Sequence, residues 1–386
     1  MKKILMVTTV PSTLRSFLLP FAAHFRAQGW QVDAMACGIS TDVKCQQGFD
    51  RLWEVKWSRN PLDPRNLLAA PQVIRQIVTR EKYDLIHVHT PVAAFVTRFA
   101  LKDLRDRLGV RIIYTAHGFH FYPGGNPLKN AVFINLEQLA GDWTDYLVTI
   151  NHEDKQAALQ HHLVAPDRDR YMPGIGVDLK YYNRHHVSES SVMQVRQELG
   201  ISEEQPLLLC VAEFTARKRH VDAIAAFAKL GRLEVHLAFA GSGPLMDQMQ
   251  QLATRLGVAK RVHFLGNRPD IPVLMRAASA NILVSAQEGL PRSVLESLAL
   301  ETPTIGTNIR GTKDLLEGGC GLLVEVGDVA GLAAAMAEIL DRPEAAAQMS
   351  KLGHERIADY DLESIVKLHE QLYAQALSDA KSSQST

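Results

Sequence analysis

Apolar runs of strand length alternate with helical patterns along nearly all of the 386 residues. The runs lie at 2–9, 31–37, 83–90, 111–117 and 145–150 in the first half, and at 206–212, 234–241, 261–266, 280–286, 303–308 and 321–326 in the second. Strands that are apolar at almost every position predict a sheet covered on both faces, which is a parallel sheet. Two such series predict an α/β fold of two doubly wound, Rossmann-like domains.

The domain boundary is expected near PGIGVDLKYY (173–182), where proline and glycine cluster between the two series. We therefore predict a first domain over 1–172 and a second over 173–362. Residues 363–378 predict a C-terminal helix that packs back on the first domain, and the polar tail 379–386 is predicted to be disordered. Helix C-caps are expected at Gly29 and Gly109.

Charge and cysteine content exclude several classes of protein. Basic and acidic residues number 42 each, which does not support nucleic acid as a ligand. The four cysteines have neither zinc-site nor disulfide-framework spacing, which favours a reducing cytoplasm. The N-terminal apolar run is short and lacks a cleavage site, so a first strand is expected rather than a signal peptide. No apolar run approaches the roughly 20 residues of a membrane span.

Two glutamates lie in the loop and helix after the strand at 280–286. Ligands of open α/β sheets bind beyond the carboxyl ends of the strands, so Glu288 is expected at the sheet edge and Glu296 early in the next helix. Pro291 suits a first helical turn, which Ser293 or a neighbouring residue is expected to cap. The pair predicts carboxylates that accept hydrogen bonds from ribose or sugar hydroxyls. An alternative explains the two positions about equally well: Glu288 is a solvated loop residue, and Glu296 interacts favourably with the helix dipole.

Two other loops of the second half favour a phosphate. The loop GSGPL places Gly241 and Gly243 where bare backbone can approach a ligand, although the glycine fingerprint of dinucleotide sites is incomplete. The loop EFTARKRH places Arg217, Lys218 and Arg219 at a strand end. Cations are unfavourable at a helix N-terminus, and this conflict favours an anionic ligand that offsets it.

The second half of the chain resembles the nucleotide-sugar half of the family 4 glycosyltransferases. The resemblance rests on three motifs in this order: E-F-x-x-x-K, A-G-S-G-P-L and E-G-L-P-R-x-x-x-E. Three further segments agree with the pattern of this family: PGIGVD, RVHFLGNRPDI and TIGTNIRGTKDLLE. The match covers nearly the whole chain. The resemblance implies the GT-B architecture, in which two Rossmann-like domains face a central cleft. It also implies retaining transfer of a sugar from a nucleotide-sugar, in the subgroup that builds exopolysaccharide and capsule.

The resemblance implies roles for individual residues of the second half. Glu296 would bind the ribose, and Lys218 the diphosphate. Glu288, with the backbone amides of Gly289 and Leu290, would hold the transferred sugar. The remaining donor-site candidates are Gly241 and Gly243 beside the nucleotide, Arg268 near the base, and Arg217 or Arg292 as a second cation. One departure is Glu213, which occupies a position where relatives often carry arginine and cannot bind phosphate favourably.

The segment YTAHGFHFYPGGNPLKN (114–130) is predicted to form the acceptor side of the site. Its Phe and Tyr side chains suit packing against a sugar or hydrophobic acceptor. The resemblance implies that His117 contacts the donor sugar; a backbone hydrogen bond explains this histidine equally simply. Further acceptor candidates lie here and in the first loop, TTVPSTLRSF (8–17): Ser12, Thr13, Arg15, His120 and Tyr122.

His87 and His89 share a strand face near His117, but no carboxylate or cysteine completes a metal set. No metal or cofactor is expected, and a nucleotide-sugar would be a substrate. The expected partners are this donor, with UDP preferred over GDP by resemblance and a UDP-N-acetylhexosamine among the candidates, and a glycan or lipid-linked acceptor. Peripheral association with the inner membrane face is compatible with such an acceptor. A nucleotide-sugar epimerase of the same architecture is the alternative function.

Overall fold

The computed structural model describes residues 1–58 and 63–384. The chain forms two units, Met1–Ile175 with Ser364–Thr386, and Gly176–Glu363. The division falls between Ile175 and Gly176, inside the segment where the composition changes. Each unit has its own parallel sheet and its own core, and each is described separately.

The first unit contains a seven-stranded sheet in the order β3-β2-β1-β4-β5-β6-β7, with every pair parallel. Its strands are β1 (Lys3–Val7), β2 (Gln31–Ala36), β3 (Leu52–Glu54), β4 (Leu85–His89), β5 (Arg111–Ala116), β6 (Tyr146–Thr149) and β7 (Asp169–Tyr171). Its helices before the division are α1 (Pro11–Thr13), α2 (Leu19–Ala27), α3 (Val43–Gly48), α4 (Ala69–Glu81), α5 (Pro91–Leu101), α6 (Arg105–Leu108), α7 (Pro127–Gly141) and α8 (His152–Gln160).

Proline and glycine set several of these helix ends. Pro91 and Pro127 are the first residues of α5 and α7, where a missing N–H costs nothing. Asn126 caps α7 by accepting a hydrogen bond from the Lys129 backbone N–H. Gly109 ends α6 in the left-handed conformation, and Gly29 follows α2 in the same conformation, as predicted.

The second unit repeats the pattern with a six-stranded parallel sheet in the order β10-β9-β8-β11-β12-β13. Its strands are β8 (Leu207–Val211), β9 (His236–Ala240), β10 (Val262–Phe264), β11 (Ala280–Leu283), β12 (Thr304–Thr307) and β13 (Leu322–Val324). Its helices are α9 (Glu189–Glu198), α10 (His220–Leu230), α11 (Met246–Arg255), α12 (Ile271–Ala277), α13 (Arg292–Ala299), α14 (Thr312–Leu316), α15 (Val329–Asp341) and α16 (Pro343–Ile357).

The last helix, α17 (Leu362–Gln384), returns the chain to the first unit. Its buried Tyr373 lies against Phe25, with 4.9 Å between ring centroids, and against Trp30 at 6.1 Å. The prediction of a disordered tail from residue 379 is wrong as far as Gln384, because the polar residues there continue the helix. The last two residues of that predicted tail lie outside the described part of the chain.

The predicted doubly wound α/β class is confirmed, and every predicted apolar run contains a strand. The sequence analysis missed two strands, β3 and β7, which occupy the two edges of the first sheet. Each has three residues and mixes polar with aromatic side chains, so neither forms an apolar run. The first loop was also predicted too long, because α1 begins at Pro11 and a π-helical turn, Leu14–Leu18, joins it to α2.

Candidate active site at the carboxyl edge of the second sheet

The strand order of the second sheet places β8 beside β11, and the chain runs outward from this pair in both directions. At such a switch point the loops after the two strands diverge, and the crevice between them is where doubly wound sheets bind ligands. The loop after β8 leads to Arg217 and Lys218. The loop after β11 leads to Glu288, so the strand order alone brings these side chains together.

The loop after β8 is anchored by Phe214, which is fully buried and stacks on His220 with ring centroids 4.1 Å apart. A short 3₁₀ turn, Ala216–Lys218, follows, and Arg219 adopts a left-handed conformation with φ of +46° before α10 begins. The carbonyl oxygen of Arg217 accepts a hydrogen bond of 2.8 Å from the backbone N–H of Ala286. This bond ties the two loops of the switch point to each other.

Glu288 is a buried carboxylate held between two cations. Lys218 Nζ lies 2.6 Å from Glu288 Oε1, and Arg217 Nη1 lies 3.2 Å from Oε2. Arg217 also donates to the carbonyl of Gln287 at 2.8 Å. Because two cations share one carboxylate, the group keeps a net positive charge, which suits an anionic ligand.

The third consecutive cation, Arg219, is directed elsewhere. Its guanidinium forms an ion pair with Asp222 one turn into α10, and Nη2 lies 2.9 Å from Asp222 Oδ1. The unfavourable placement of cations at this helix N-terminus is therefore offset by carboxylates of the protein itself, Asp222 and Glu288. Binding of an external anion by these cations stays a prediction.

Arg310, which follows β12 and is buried, was not predicted from the sequence. Its Nε donates to the carbonyl oxygen of Glu288 at 3.0 Å. The next residue, Gly311, approaches the Gly289 carbonyl so closely that an added Cβ would lie 2.0 Å from the oxygen. The loop after β12 thus supports the Glu288 loop from behind and adds a positive charge. The sequence TIGTNIRGT contained the signal, because an arginine and a glycine follow a strand end directly.

Glu296 is the fifth of the eight residues of α13 and is almost fully buried, at 6% exposure. Tyr182 donates its hydroxyl to Glu296 Oε1 at 2.7 Å, and Arg292 Nη2 lies 3.0 Å from the same oxygen. Burial raises the pKa of Glu296 above its ordinary value, while Arg292 and Tyr182 oppose this shift. Burial of an ionised carboxylate costs free energy, and carboxylates with such shifted pKa values are typical of functional sites.

The start of α13 differs from the sequence-based expectation. Pro291 is the residue before the first helical turn, which begins at Arg292, and Ser293 provides no side-chain cap. Tyr182, the partner of Glu296, was also not predicted. It belongs to the proline- and glycine-containing segment that was interpreted only as a linker.

The close packing of two loops requires glycine at positions 241 and 243, and the sequence did not reveal this requirement. An added Cβ on Gly241 would lie 2.1 Å from the carbonyl oxygen of Ala212, and one on Gly243 would lie 2.7 Å from the backbone N and O of Phe214. Both glycines also have φ near +150°, which other residues rarely adopt. The two glycines therefore let the loop after β9 pack against the loop after β8. Contact with a nucleotide remains a prediction.

Arg268 and Glu213 lie near this edge with different surroundings. Arg268 pairs with two carboxylates, at 2.5 Å from Glu198 and 2.6 Å from Asp270, which raise the pKa of its guanidinium. Glu213 is exposed in the loop after β8. A base-binding role for Arg268 would thus involve its planar face, because its N–H groups already bind carboxylates.

Three hydroxyl groups at this edge are buried without a hydrogen-bond partner among residues 1–58 and 63–384. They belong to Thr215 before the 3₁₀ turn, Ser285 after β11 and Thr312 at the start of α14. Buried polar groups are normally satisfied by protein, water or ligand. Three such groups in the loops of neighbouring strands mark this edge as the polar end of the sheet.

In the first unit, the switch point lies between β1 and β4. Thr90 directly follows β4 with φ of +64°, an outlier for a β-branched residue, and its hydroxyl accepts a hydrogen bond of 2.9 Å from the Thr9 backbone. His117 follows β5; its Nε2 is hydrogen-bonded to His89 Nδ1 at 3.0 Å, and Phe17 stacks on its ring at 5.8 Å. The partner of the His117 ring is therefore another histidine, and not the backbone carbonyl of the alternative explanation.

The predicted acceptor residues of the first unit lie in two segments of the chain. Ser12 and Thr13 lie in α1, and Arg15 in the π-helical turn lies 3.3 Å from Asp42. His120 and Tyr122 are exposed in the loop before α7. Their neighbours Phe119 and Phe121 are buried core residues stacked at 4.8 Å, so these phenylalanines cannot pack against an acceptor as predicted.

Residues 1–58 and 63–384 contain neither a metal-binding cluster nor a membrane-spanning helix. No group of three or more histidine, cysteine, aspartate or glutamate side chains has a metal-binding arrangement. Within the same part of the chain, no helix is both long enough and apolar enough to cross a bilayer.

Comparison with known proteins agrees with this geometry. Residues 16–180 match the family model described as Glycosyltransferase Family 4, and residues 192–356 match the one described as Glycosyl transferases group 1. EpsD of Bacillus subtilis (strain 168), provisionally named as a glycosyltransferase, is 33% identical over 358 residues, which is 91% of each chain. The N-acetyl-alpha-D-glucosaminyl L-malate synthase of Bacillus anthracis is 28% identical over 81% of this chain and 80% of its own.

Among solved structures, Anabaena Alr3699/HepE in complex with UDP-glucose is similar at a TM-score of 0.79, with 22% identity over 98% of this chain and all of the other. The two parallel-sheet units and the loops at the switch point define a glycosyltransferase of the GT-B class. The chain belongs to glycosyltransferase family 4.

Proposed function

We propose that the protein transfers a sugar, with retention of configuration, from a UDP-sugar to a glycan or lipid-linked acceptor in polysaccharide biosynthesis. The single observation that supports this most is the buried Glu288 held between Lys218 and Arg217 at the switch point of the second sheet. The cytoplasm, including the inner face of the membrane, is the proposed location.

In this proposal the diphosphate takes over the cations that now bind Glu288. Lys218 moves from the carboxylate to a phosphate oxygen, and Arg217 or Arg292 supplies the second positive charge. Charge that develops on the leaving diphosphate is thereby stabilised in a largely desolvated place, where a fixed cation has its greatest effect. Glu213 does not bind the diphosphate in this proposal, because its carboxylate is negatively charged like the phosphate.

Release from Lys218 leaves Glu288 able to accept hydrogen bonds from the transferred sugar. The backbone amides of Gly289 and Leu290 are proposed to bind the same sugar, and Glu296 to accept from the ribose hydroxyls. His117 is proposed to contact the sugar from the first unit. In a front-face transfer the leaving diphosphate helps to deprotonate the acceptor, so the protein mainly positions the reactants and stabilises charge.

The choice of UDP rests on likeness. The HepE structure of the same fold is a complex with UDP-glucose. The Bacillus anthracis relative is named for an N-acetylglucosaminyl product, which supports an N-acetylhexosamine as the transferred group. A thermal-shift series with UDP-, GDP- and ADP-sugars tests the nucleotide directly, and preference for GDP or ADP would overturn this part of the proposal.

The Lys218→Ala substitution tests the site. We expect transfer to fall by about 10²-fold, as when one charge-stabilising donor is removed from a transition state. Arg219→Gln is the matched control, because Arg219 is the adjacent cation but binds Asp222 rather than Glu288. Rates are measured at low donor concentration with folding checked by circular dichroism. Near-normal transfer by Lys218→Ala contradicts the assignment.

Product analysis separates the proposed reaction from its alternatives. With donor alone, a nucleotide-sugar epimerase releases free nucleotide or an epimerised sugar, whereas a transferase needs an acceptor. The anomeric configuration of the product, read by NMR, tests retention. An inverted product would remove the front-face mechanism but leave the donor site in place.

A further inference from the structure

Four histidine rings form a column inside the first unit, and we call them the histidine column: His369, His87, His89 and His117. Successive ring centroids are 5.7, 4.1 and 5.2 Å apart. The first three rings are almost fully buried, while His117, at the end of the column, is half-buried beyond the carboxyl end of β5.

Inside the column, His87 has partners for both ring nitrogens. Its Nδ1 lies 2.5 Å from the Tyr373 hydroxyl, and its Nε2 lies 2.8 Å from the Thr115 hydroxyl. His89 is different. Its Nδ1 lies 3.0 Å from His117 Nε2, while its own Nε2 is buried with no hydrogen-bond partner in the described part of the chain.

This difference determines where the protons are. If His89 carried its proton on Nε2, a buried N–H donor would be left unpaired, which proteins rarely tolerate and which costs about 1–3 kcal/mol. With the proton on Nδ1, His89 donates to His117 Nε2 and only a lone pair remains unpaired. Since His117 Nε2 then accepts, the proton of a neutral His117 must be on Nδ1.

Both rings are neutral at physiological pH. Burial, with a smaller contribution from His369, lowers the pKa of His117 to about 4, and burial together with the neighbouring histidines lowers the pKa of His89 well below its ordinary value. The ionisable groups around the pair are His87 from the same strand and His369 and Tyr373 from α17. None of the three is a carboxylate that would favour an imidazolium.

We propose that His89 is a positioning residue that holds His117 in the Nδ1–H tautomer, so that His117 offers a neutral hydrogen-bond donor beyond the end of β5. The catalytic consequence rests on the function proposed above: the recipient is a sugar hydroxyl or ring oxygen, a neutral acceptor that needs no charge. The tautomer itself is a property of the free protein and does not depend on that function.

The direct test is ¹⁵N NMR of the full-length protein labelled at histidine, with the His117 signals identified by their loss in His117→Gln. We expect a pyrrole-type shift for Nδ1 and a pyridine-type shift for Nε2, without titration between about pH 6 and pH 8, as a pKa near 4 requires. A proton on His117 Nε2 in the wild-type protein overturns the proposal.

Two substitutions of His89 separate the hydrogen bond from packing. His89→Asn keeps an amide donor near the position of Nδ1, and His89→Leu removes it. We expect His89→Leu to remove the hydrogen bond that selects the Nδ1–H tautomer, so that His117 populates both tautomers, and to lower kcat/KM about tenfold, the effect of one hydrogen bond worth about 1.4 kcal/mol. His89→Asn should restore both. Equal losses in the two variants at equal melting temperatures contradict a positioning role.

His369→Leu is the matched control for burial. It removes a buried ring of the same column whose only hydrogen bond described here is to the Ile365 carbonyl, so the tautomer of His117 should not change. If His117 has the expected tautomer but His117→Gln transfers sugar normally, the proposed catalytic role of His117 fails and the positioning by His89 stands.

Discussion

Without any ligand, the charged residues of the candidate site already form ion pairs and hydrogen bonds with one another. Lys218 and Arg217 share Glu288, and Arg292 shares Glu296 with Tyr182. The sequence predicted Lys218, Glu288 and Glu296 because each follows an apolar strand in a predictable register. It could not predict Arg310 or Tyr182, since their contacts depend on how separate loops pack.

The buried Glu296 predicts a pH-dependent stability. A carboxyl group whose pKa is higher in the folded state stabilises the fold most below its unfolded pKa, and this contribution is lost as pH rises through the folded pKa. Relative to wild type, Glu296→Gln should therefore gain stability as the pH is raised from about 4.5 to about 7.5, because burial raises the pKa of Glu296 and makes its ionised form costly in the folded state. Urea unfolding at both pH values measures this gain.

Tyr182→Phe provides the control for that experiment. It removes a hydrogen bond that lowers the pKa of Glu296, so the gain should extend to higher pH when Glu296→Gln is compared in the Tyr182→Phe background. A stability difference that is the same at both pH values would show that Glu296 titrates normally. Glu296→Gln should also weaken nucleotide binding, since an amide oxygen accepts from a ribose less strongly than a carboxylate.

At the scale of elements, the central strands were predictable and the edge strands were not. The central strands are apolar at nearly every position because helices cover both sheet faces. β3 and β7 pair on one side only and have three residues each, so their sequences carry little signal. The close packing of the loops after β8 and β9 was also hidden, because a glycine does not reveal which backbone it approaches.

That loop packing predicts unequal costs for two glycine substitutions. Gly243→Ala places a Cβ 2.7 Å from the Phe214 backbone, whereas Gly257→Ala, at a left-handed φ of +71°, meets nothing within 4 Å. We expect a loss of about 1 kcal/mol for Gly257→Ala, from backbone strain alone, and about 3 kcal/mol for Gly243→Ala. Denaturant unfolding measures the loss of stability in both variants. Equal losses would show that the loop after β8 moves aside without cost to accommodate the added Cβ.

At the scale of the whole molecule, the nucleotide is predicted to bind one unit. A ligand present at 100 times its Kd stabilises the state that binds it by about 2.7 kcal/mol. We expect UDP to slow amide hydrogen exchange first in the loops after β8, β9 and β11 of the second unit. Lys218→Ala should lose this protection and Arg219→Gln should keep it. Protection that appears first around His117 would place the nucleotide in the other unit.

The path of the chain has a consequence for its synthesis. The first sheet leaves the ribosome before the second, yet Tyr373, a partner of His87 and Phe25, is carried by α17, which is translated after the second sheet. In the nascent first unit, Phe25 and His87 therefore lack their contact with Tyr373 while all of Gly176–Glu363 is translated. The unit encoded in the middle of the message is therefore the first that can fold to completion.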